Sequence, residues 1–355
     1  MALDVMTIIN QLSQLRYLKV SGHCKSIMLP CQIRGLGLLE TLDLSGISNC
    51  SISLEIVDAP RLSHLVMPMN TGLPDWIGKV KLLRTLRWFI LPMDSLEGII
   101  GLGELTSLSD LELSFPNVST ELLKAAWMTA LSDSLGKLGN LKQLRVSPPN
   151  LLKAVALRAD ALSSLSPPFR NLELLILHHG CTFSRVPRWI GHLHSLRELW
   201  LGAKHVLEED VTIIGTKLPS LIHLSLRIPG VLRERIIIGG STGSPVLRGF
   251  LFDCDGMSSL SFEAGAMPAL RELRLILDAN EWDKAAPGGL HHLPSLEKIT
   301  TRRALYMTKR RSPKRQRLTA TGEDITALIR SVFQEAADAL PARPEFEPRA
   351  GPVLR

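Results

Sequence analysis

At 355 residues, with 45% hydrophobic and 21% charged side chains, the chain has an ordinary composition for a soluble folded protein. No run approaches the ~18 uninterrupted apolar residues of a spanning helix, and the stretch from Met1 to Leu18 lacks the basic region and cleavage pattern of a secretory leader. The net charge of +7 is unevenly placed: Thr301–Leu318 holds eight Lys or Arg and no acid, which excludes a uniformly basic, nucleic-acid-coating surface.

From the start of the chain one frame recurs, Leu-x-x-Leu-x-x-Leu-x-Leu. It is met at Leu12, Leu15, Leu18 and Val20, then at Leu36, Leu39, Leu42 and Leu44, and in short form at Leu62, Leu65 and Met67. Val80, Leu83, Leu86 and Trp88 follow, then Leu105 to Leu113, Leu138 to Val146, Phe169 to Leu177 and Leu193 to Leu201. The series closes with Leu218 to Leu226, a weaker Leu247, Phe250 and Phe252, Met267 to Leu275, and Leu293, Leu296 and Ile299. Twelve copies at steps of 21 to 33 residues mark a leucine-rich repeat solenoid. The final Leu-x-Leu has period two and predicts a short strand with both aliphatics on one face. One unit cannot bury them alone, but stacked units can. The expected fold is therefore α/β: a curved horseshoe with a parallel sheet on the concave face and short helices and irregular segments on the convex face.

Two copies share Pro-x-Trp-Ile-Gly, at Pro74–Gly78 and Pro187–Gly191. Proline suits the first turn of the outer segment, Ile77 and Ile190 point to the core, and Gly78 and Gly191 are expected to permit a tight turn. The tryptophans, Trp76 and Trp189, are read as packing residues. Two units are stretched. Ser119–Leu138 reads as an amphipathic helix with Leu122, Leu123, Ala126, Trp127 and Leu131 on one side, and Pro148–Phe169 reads similarly.

After a solenoid spanning 1–301, a basic linker is expected at 302–320. It contains Lys309, Arg310, Arg311, Lys314 and Arg315. Three roles fit it: a solvated connector, a nuclear-import signal, or a contact for nucleic acid or anionic lipid. Only Tyr306 interleaves the charges, which disfavours single-strand stacking. Residues 321–341 then predict an amphipathic helix, with Ile325, Leu328, Ile329, Val332, Phe333 and Ala336 on one face, covering the last repeat. Residues 342–355 are expected to be a flexible tail.

The repeat lengths wander, and four strands are followed four residues on by Cys24, Asn117, Asn150 or Cys181. With Leu73–Leu86, Val186–Leu201 and the ending Ala327–Glu347, this texture resembles the leucine-rich repeat region of plant intracellular disease resistance proteins, the coiled-coil nucleotide-binding class of grasses. The resemblance implies a sensing and self-inhibiting module that meets a pathogen effector or host protein and the receptor's own nucleotide-binding module. That module needs Gly-x-x-x-x-Gly-Lys-Ser/Thr, which this chain lacks. The glycine-rich Ile238–Pro245 has no lysine. The chain starts inside its first repeat, so a longer receptor is expected.

No catalytic, cofactor or metal site is expected. The pairs His178–His179, His192 with His194, and His291–His292 have no carboxylate or thiol at ligand spacing. Cys24, Cys31, Cys50, Cys181 and Cys254 are scattered, odd in number and read as reduced thiols. The expected compartment is the cytoplasm, with the nucleus added if the basic segment directs import.

The residue between the last two aliphatics of each frame points outward, onto the concave face. Candidate protein-binding residues there are Arg87, Arg145, Ile176, Trp200, Leu251 and Arg274, with His178 and Arg227 in the next outward position. Tryptophan and arginine together have hot-spot composition.

Overall fold

A computed structural model of the chain describes all residues except 1–11, 22–26, 29–35, 48–49, 52–53, 93–94, 116–124, 148–156, 159–161, 164–168, 179–180, 230–234, 241–242, 255, 279–280, 306–321, 350–352 and 355. It divides into two compact units, residues 1–150 with 164–174, and residues 151–163 with 175–355.

In the first unit each frame delivers one strand: β1 (Tyr17–Ser21), β2 (Thr41–Gly46), β3 (His64–Gly72), β4 (Thr85–Ile90), β5 (Asp110–Ser114) and β6 (Gln143–Ser147). Every neighbouring pair is parallel. Register sets Leu18 beside Leu42, then Leu65, Leu86, Leu111 and Leu144, so one frame position becomes one column. Leu42, Leu65, Leu86 and Leu111 are fully buried. Parallel strands need crossover connections. Here these carry the 3-10 turns Leu54–Asp58 and Asp75–Lys79 and the helices α1 (Glu97–Leu102) and α2 (Ala125–Gly136).

Local chemistry explains these segments. Pro74 sits extended, at φ −77°, immediately before the Asp75–Lys79 turn, and Ile77 is fully buried beneath it. Gly78 does not provide a tight turn through positive φ, since among the described glycines only Gly265 and Gly289 are left-handed. It provides clearance: a Cβ there would lie 2.9 Å from the backbone of Gly101 in α1. Gly191 plays the same part more loosely, 3.1 Å from Ile213 Cγ2. In α2, Trp127, Leu131 and Leu135 are buried at helical spacing, and the Trp127 indole donates to the Pro92 carbonyl at 2.6 Å.

The frame fails at one strand. Trp88 occupies an inward frame position, yet it has φ +67° and is 37% exposed, while Phe89 is fully buried. The ladder to β5 shifts by one residue between Leu86 and Phe89, and the ladder to β3 is irregular as well, between Val66 and Thr71. A bulge of this kind hands the core position to the next side chain. Phenylalanine fits a slot shaped by leucines, and the wider indole is turned out at the cost of a left-handed backbone.

The second unit continues the rule with β7 (Leu174–Leu177, entering the unit at Leu175), β8 (Glu198–Ala203), β9 (His223–Arg227), β10 (Gly249–Asp253), β11 (Glu272–Leu277) and β12 (Lys298–Leu305). From β8 to β12 all neighbours are parallel, and Leu199, Leu224, Phe250, Leu273 and Ile299 align in one buried column. The outer layer holds the 3-10 turn Arg188–His192 and the helix α3 (Glu208–Lys217). Trp189 is buried and donates to the Leu162 carbonyl at 2.8 Å, a packing role as expected. Within 148–169, where a helix was expected, the described Leu157–Arg158 is a strand paired with Cys181–Thr182. Tertiary pairing there outweighs local helical periodicity.

The C-terminal region differs most from expectation. β12 runs to Leu305, so residues 302–305 belong to the sheet, and Lys309, Arg310, Arg311, Lys314 and Arg315 lie outside the described residues. The expected helix is α4 (Gly322–Asp338), but its buried stripe is Ile329, Phe333 and Ala337, with Leu328 exposed. The expected flexible tail contains β13 (Glu345–Pro348), parallel to β12, with Phe346 beside Ile299. Val353–Leu354 pairs with Ala304–Leu305. The reason is physical: β12 would otherwise leave a row of unpaired amides at a sheet edge. Phe333 then stacks between Trp282 and Phe346, at centroid distances of 5.7 and 6.1 Å, sealing the last repeat.

Candidate protein-binding face

Because side chains alternate along a strand and the ladders are in register, the outward frame residues within each unit form a row, about 4.8 Å apart from strand to strand. In the second unit the row reads Trp200, Ser225, Leu251, Arg274, Thr300 and Glu347. Trp200, Leu251 and Ile276 line a hollow of about 120 Å³, together with Arg227, Asp253, Arg274, Arg302 and Arg349.

Each wall is held in place. The half-buried Trp200 donates its indole N–H to Glu198 Oε1 at 2.8 Å, and His178 meets its ring edge-on at 6.0 Å. Arg227 Nε lies 3.5 Å from Asp253 Oδ2, and the Asp253 side chain is 1% exposed. Arg274 donates to Glu272 Oε2 at 2.6 Å, and this hydrogen bond holds the Glu272 carboxyl below its ordinary range. Beyond Arg274, Lys298 pairs with Glu347 at 2.6 Å and Arg349 Nε approaches the same carboxylate at 3.8 Å. Arg302 is exposed, and no carboxylate pairs with it among the described residues.

Five expected site residues, His178, Trp200, Arg227, Leu251 and Arg274, thus line or adjoin one hollow. Ile176 does not contribute as expected. It is 8% exposed, on β7, the strand next to Trp200's β8. Arg87 and Arg145 belong to the first unit and are not free cations either. Both engage Asp110: Arg87 through Nε at 3.0 Å and through a second, shorter contact, Arg145 through Nη1 at 3.0 Å. Arg145 also donates to Gln143 Oε1 at 2.8 Å, which leaves its side chain 20% exposed. Next to this cluster, burial pushes the Glu112 carboxyl above its ordinary range, against the opposing pull of a hydrogen bond from Trp88.

Sequence reasoning missed Asp253, Arg302, Arg349 and Trp88. Asp253 and Arg302 stand two residues past outward frame positions, in the same next-outward column as His178 and Arg227, where a charged residue alone carries no signal. Arg349 needs β13, and Trp88 needs the bulge; neither has a signal in the frame. Among the described residues no group of three or more His, Cys, Asp or Glu is placed to hold a metal ion. Burial pushes the Cys181 thiol up to about 12, far from a nucleophile's range. No described helix is long and apolar enough to cross a membrane.

Disease resistance protein RGA5 of Oryza sativa subsp. japonica is 37% identical over 334 residues, 93% of this chain and 28% of that protein. The chain therefore spans about a quarter of its relative's length, and the resemblance to plant resistance proteins read from the repeats is borne out. Among solved structures, a Listeria monocytogenes internalin is 15% identical at TM-score 0.49 and matches over 76% of this chain and 70% of its own. A Leptospira interrogans leucine-rich repeat protein is 16% identical at TM-score 0.31, over 96% and 98%. A family model described as a leucine-rich repeat region matches residues 4–345, and the chain belongs to that leucine-rich repeat family.

Proposed function

We propose that the chain is the protein-binding module of a plant immune receptor, holding a nucleotide-binding module closed and exchanging that contact for a pathogen effector or a host protein. The observation that supports it is the front of the second unit, where a tryptophan and a leucine face outward among arginines in a protein otherwise similar to a resistance protein. Outward Trp and Arg around an apolar floor are the composition of binding hot spots. The mechanism is competition between two protein surfaces: whichever binds one state better shifts the population. No bond is made or broken.

The test is co-expression in leaf tissue with the nucleotide-binding part of a rice resistance protein. The chain should suppress cell death, and Trp200→Ala should weaken suppression at unchanged protein level. Equal suppression by chain and variant removes this face from the mechanism. The cytoplasm is the proposed site of action.

A further inference from the structure

We infer that the hollow on the second unit takes an acidic protein segment, with a carboxylate at the arginine rim and a neighbouring large apolar side chain on Trp200 and Leu251. This rests on the reading of that face as protein-binding and specifies its partner.

Size comes first. The hollow measures about 120 Å³, room for a single side chain, whereas small-molecule clefts run roughly 300–1,000 Å³. Charge comes second. Four arginines and one carboxylate line it, and that carboxylate, Asp253, lies against Arg227. Arg274 and Arg349 share Glu272 and Glu347 with their surroundings, which leaves Arg302 as the rim cation with no carboxylate among the described residues. An approaching basic segment meets like charge, whereas an acidic one is steered in. Guanidinium forks match carboxylates in a planar, two-bond geometry. The floor comes third. Trp200, Leu251 and Ile276 offer a bare inorganic anion nothing, but they reward an apolar side chain beside the acid.

A phage-displayed random peptide library panned on the full chain tests this. Enriched peptides should carry Asp or Glu within a few residues of Leu, Ile, Phe or Trp. A synthetic copy of the best one should bind about tenfold or more weakly to Arg302→Glu and to Trp200→Ala. It should be unaffected by Arg61→Glu, an exposed arginine in the first unit. Binding should fall as sodium chloride rises from about 0.05 to about 0.3 M. Circular dichroism confirms that the variants fold, and Arg302→Lys, which keeps the charge but not the two-bond fork, should bind more weakly than the parent and more tightly than Arg302→Glu. Enrichment of basic or purely apolar peptides, no enrichment, or indifference to Arg302→Glu overturns the proposal. So does displacement by inorganic phosphate at constant ionic strength, which would make the hollow a small-anion site. If the receptor reading alone is wrong, the leaf response ignores Trp200→Ala while the acidic signature persists. If only the partner chemistry is wrong, the signature changes while the leaf response still depends on Trp200.

Discussion

The fronts of the two units share one frame and differ in chemistry. In the first, Asp110 sits between Arg87 and Arg145, and Trp88 donates to Glu112, so charges and indole are occupied within the unit. In the second, Trp200 and Leu251 flank Ser225 in the outward row, and arginines, some of them paired with carboxylates, line the hollow there. An outward frame position fixes where a side chain points. Whether that side chain is available depends on its neighbours one strand away, which lie more than twenty residues off in sequence.

The comparison can be broken by substitution, starting with the largest effect. Phe333→Ala removes a fully buried ring from the stack that seals the second unit. It should cost about 3–5 kcal/mol in urea denaturation, as large aromatic truncations do, while Trp200→Ala on the front should cost less than about 1 kcal/mol. Equal losses would mean that Trp200 is a core residue and no hot spot.

Asp110→Ala comes next. It leaves Arg87 and Arg145 facing each other without their shared acceptor and should cost about 1–3 kcal/mol. Arg274→Ala, which opens the more exposed pair with Glu272, should cost about 0.2–1 kcal/mol. The reverse order would contradict the view that the central charges of the first face are held more tightly than the rim pair Arg274–Glu272 of the second.

The smallest effect is a difference in sign with pH. The folded Glu112 carboxyl is raised by burial, so the unfolded chain ionises first and stability is lost as pH rises through the ordinary glutamate range to the raised value. Glu272 is lowered by its Arg274 hydrogen bond, so its stabilisation is present above the ordinary range and is lost as pH falls through the depressed value. Glu112→Gln should therefore stabilise at neutral pH, and Glu272→Gln should destabilise by a few tenths of a kcal/mol. Denaturation curves at pH 7 and in acid should show the two variants diverging from the parent at neutral pH and converging on it at low pH.

Much of this architecture is legible in the sequence because the aliphatic columns are a one-dimensional code. Leu42, Leu65, Leu86, Leu199, Leu224 and Leu273 lie where the frame puts them. The frame cannot say when a side chain is too wide for its slot, hence Trp88 and Phe89 exchange roles. It is equally silent on strands that exist only because an edge needs pairing, such as β13, which brings Arg349 to the hollow. At the face, residue types at outward positions picked out Trp200, Leu251 and Arg274. They give no sign that Arg145 is held by Asp110, 35 residues earlier in sequence, or that Ile176 is only 8% exposed.

Hydroxyl-radical footprinting of the full chain, alone and with leaf extract from the host, puts the central claim to its most direct test. Oxidation of Trp200 should drop in the extract while that of Trp88, the exposed tryptophan of the other face, stays the same. Protection of Trp88 with Trp200 unchanged, or of neither, would contradict the assignment of binding to the second unit's front.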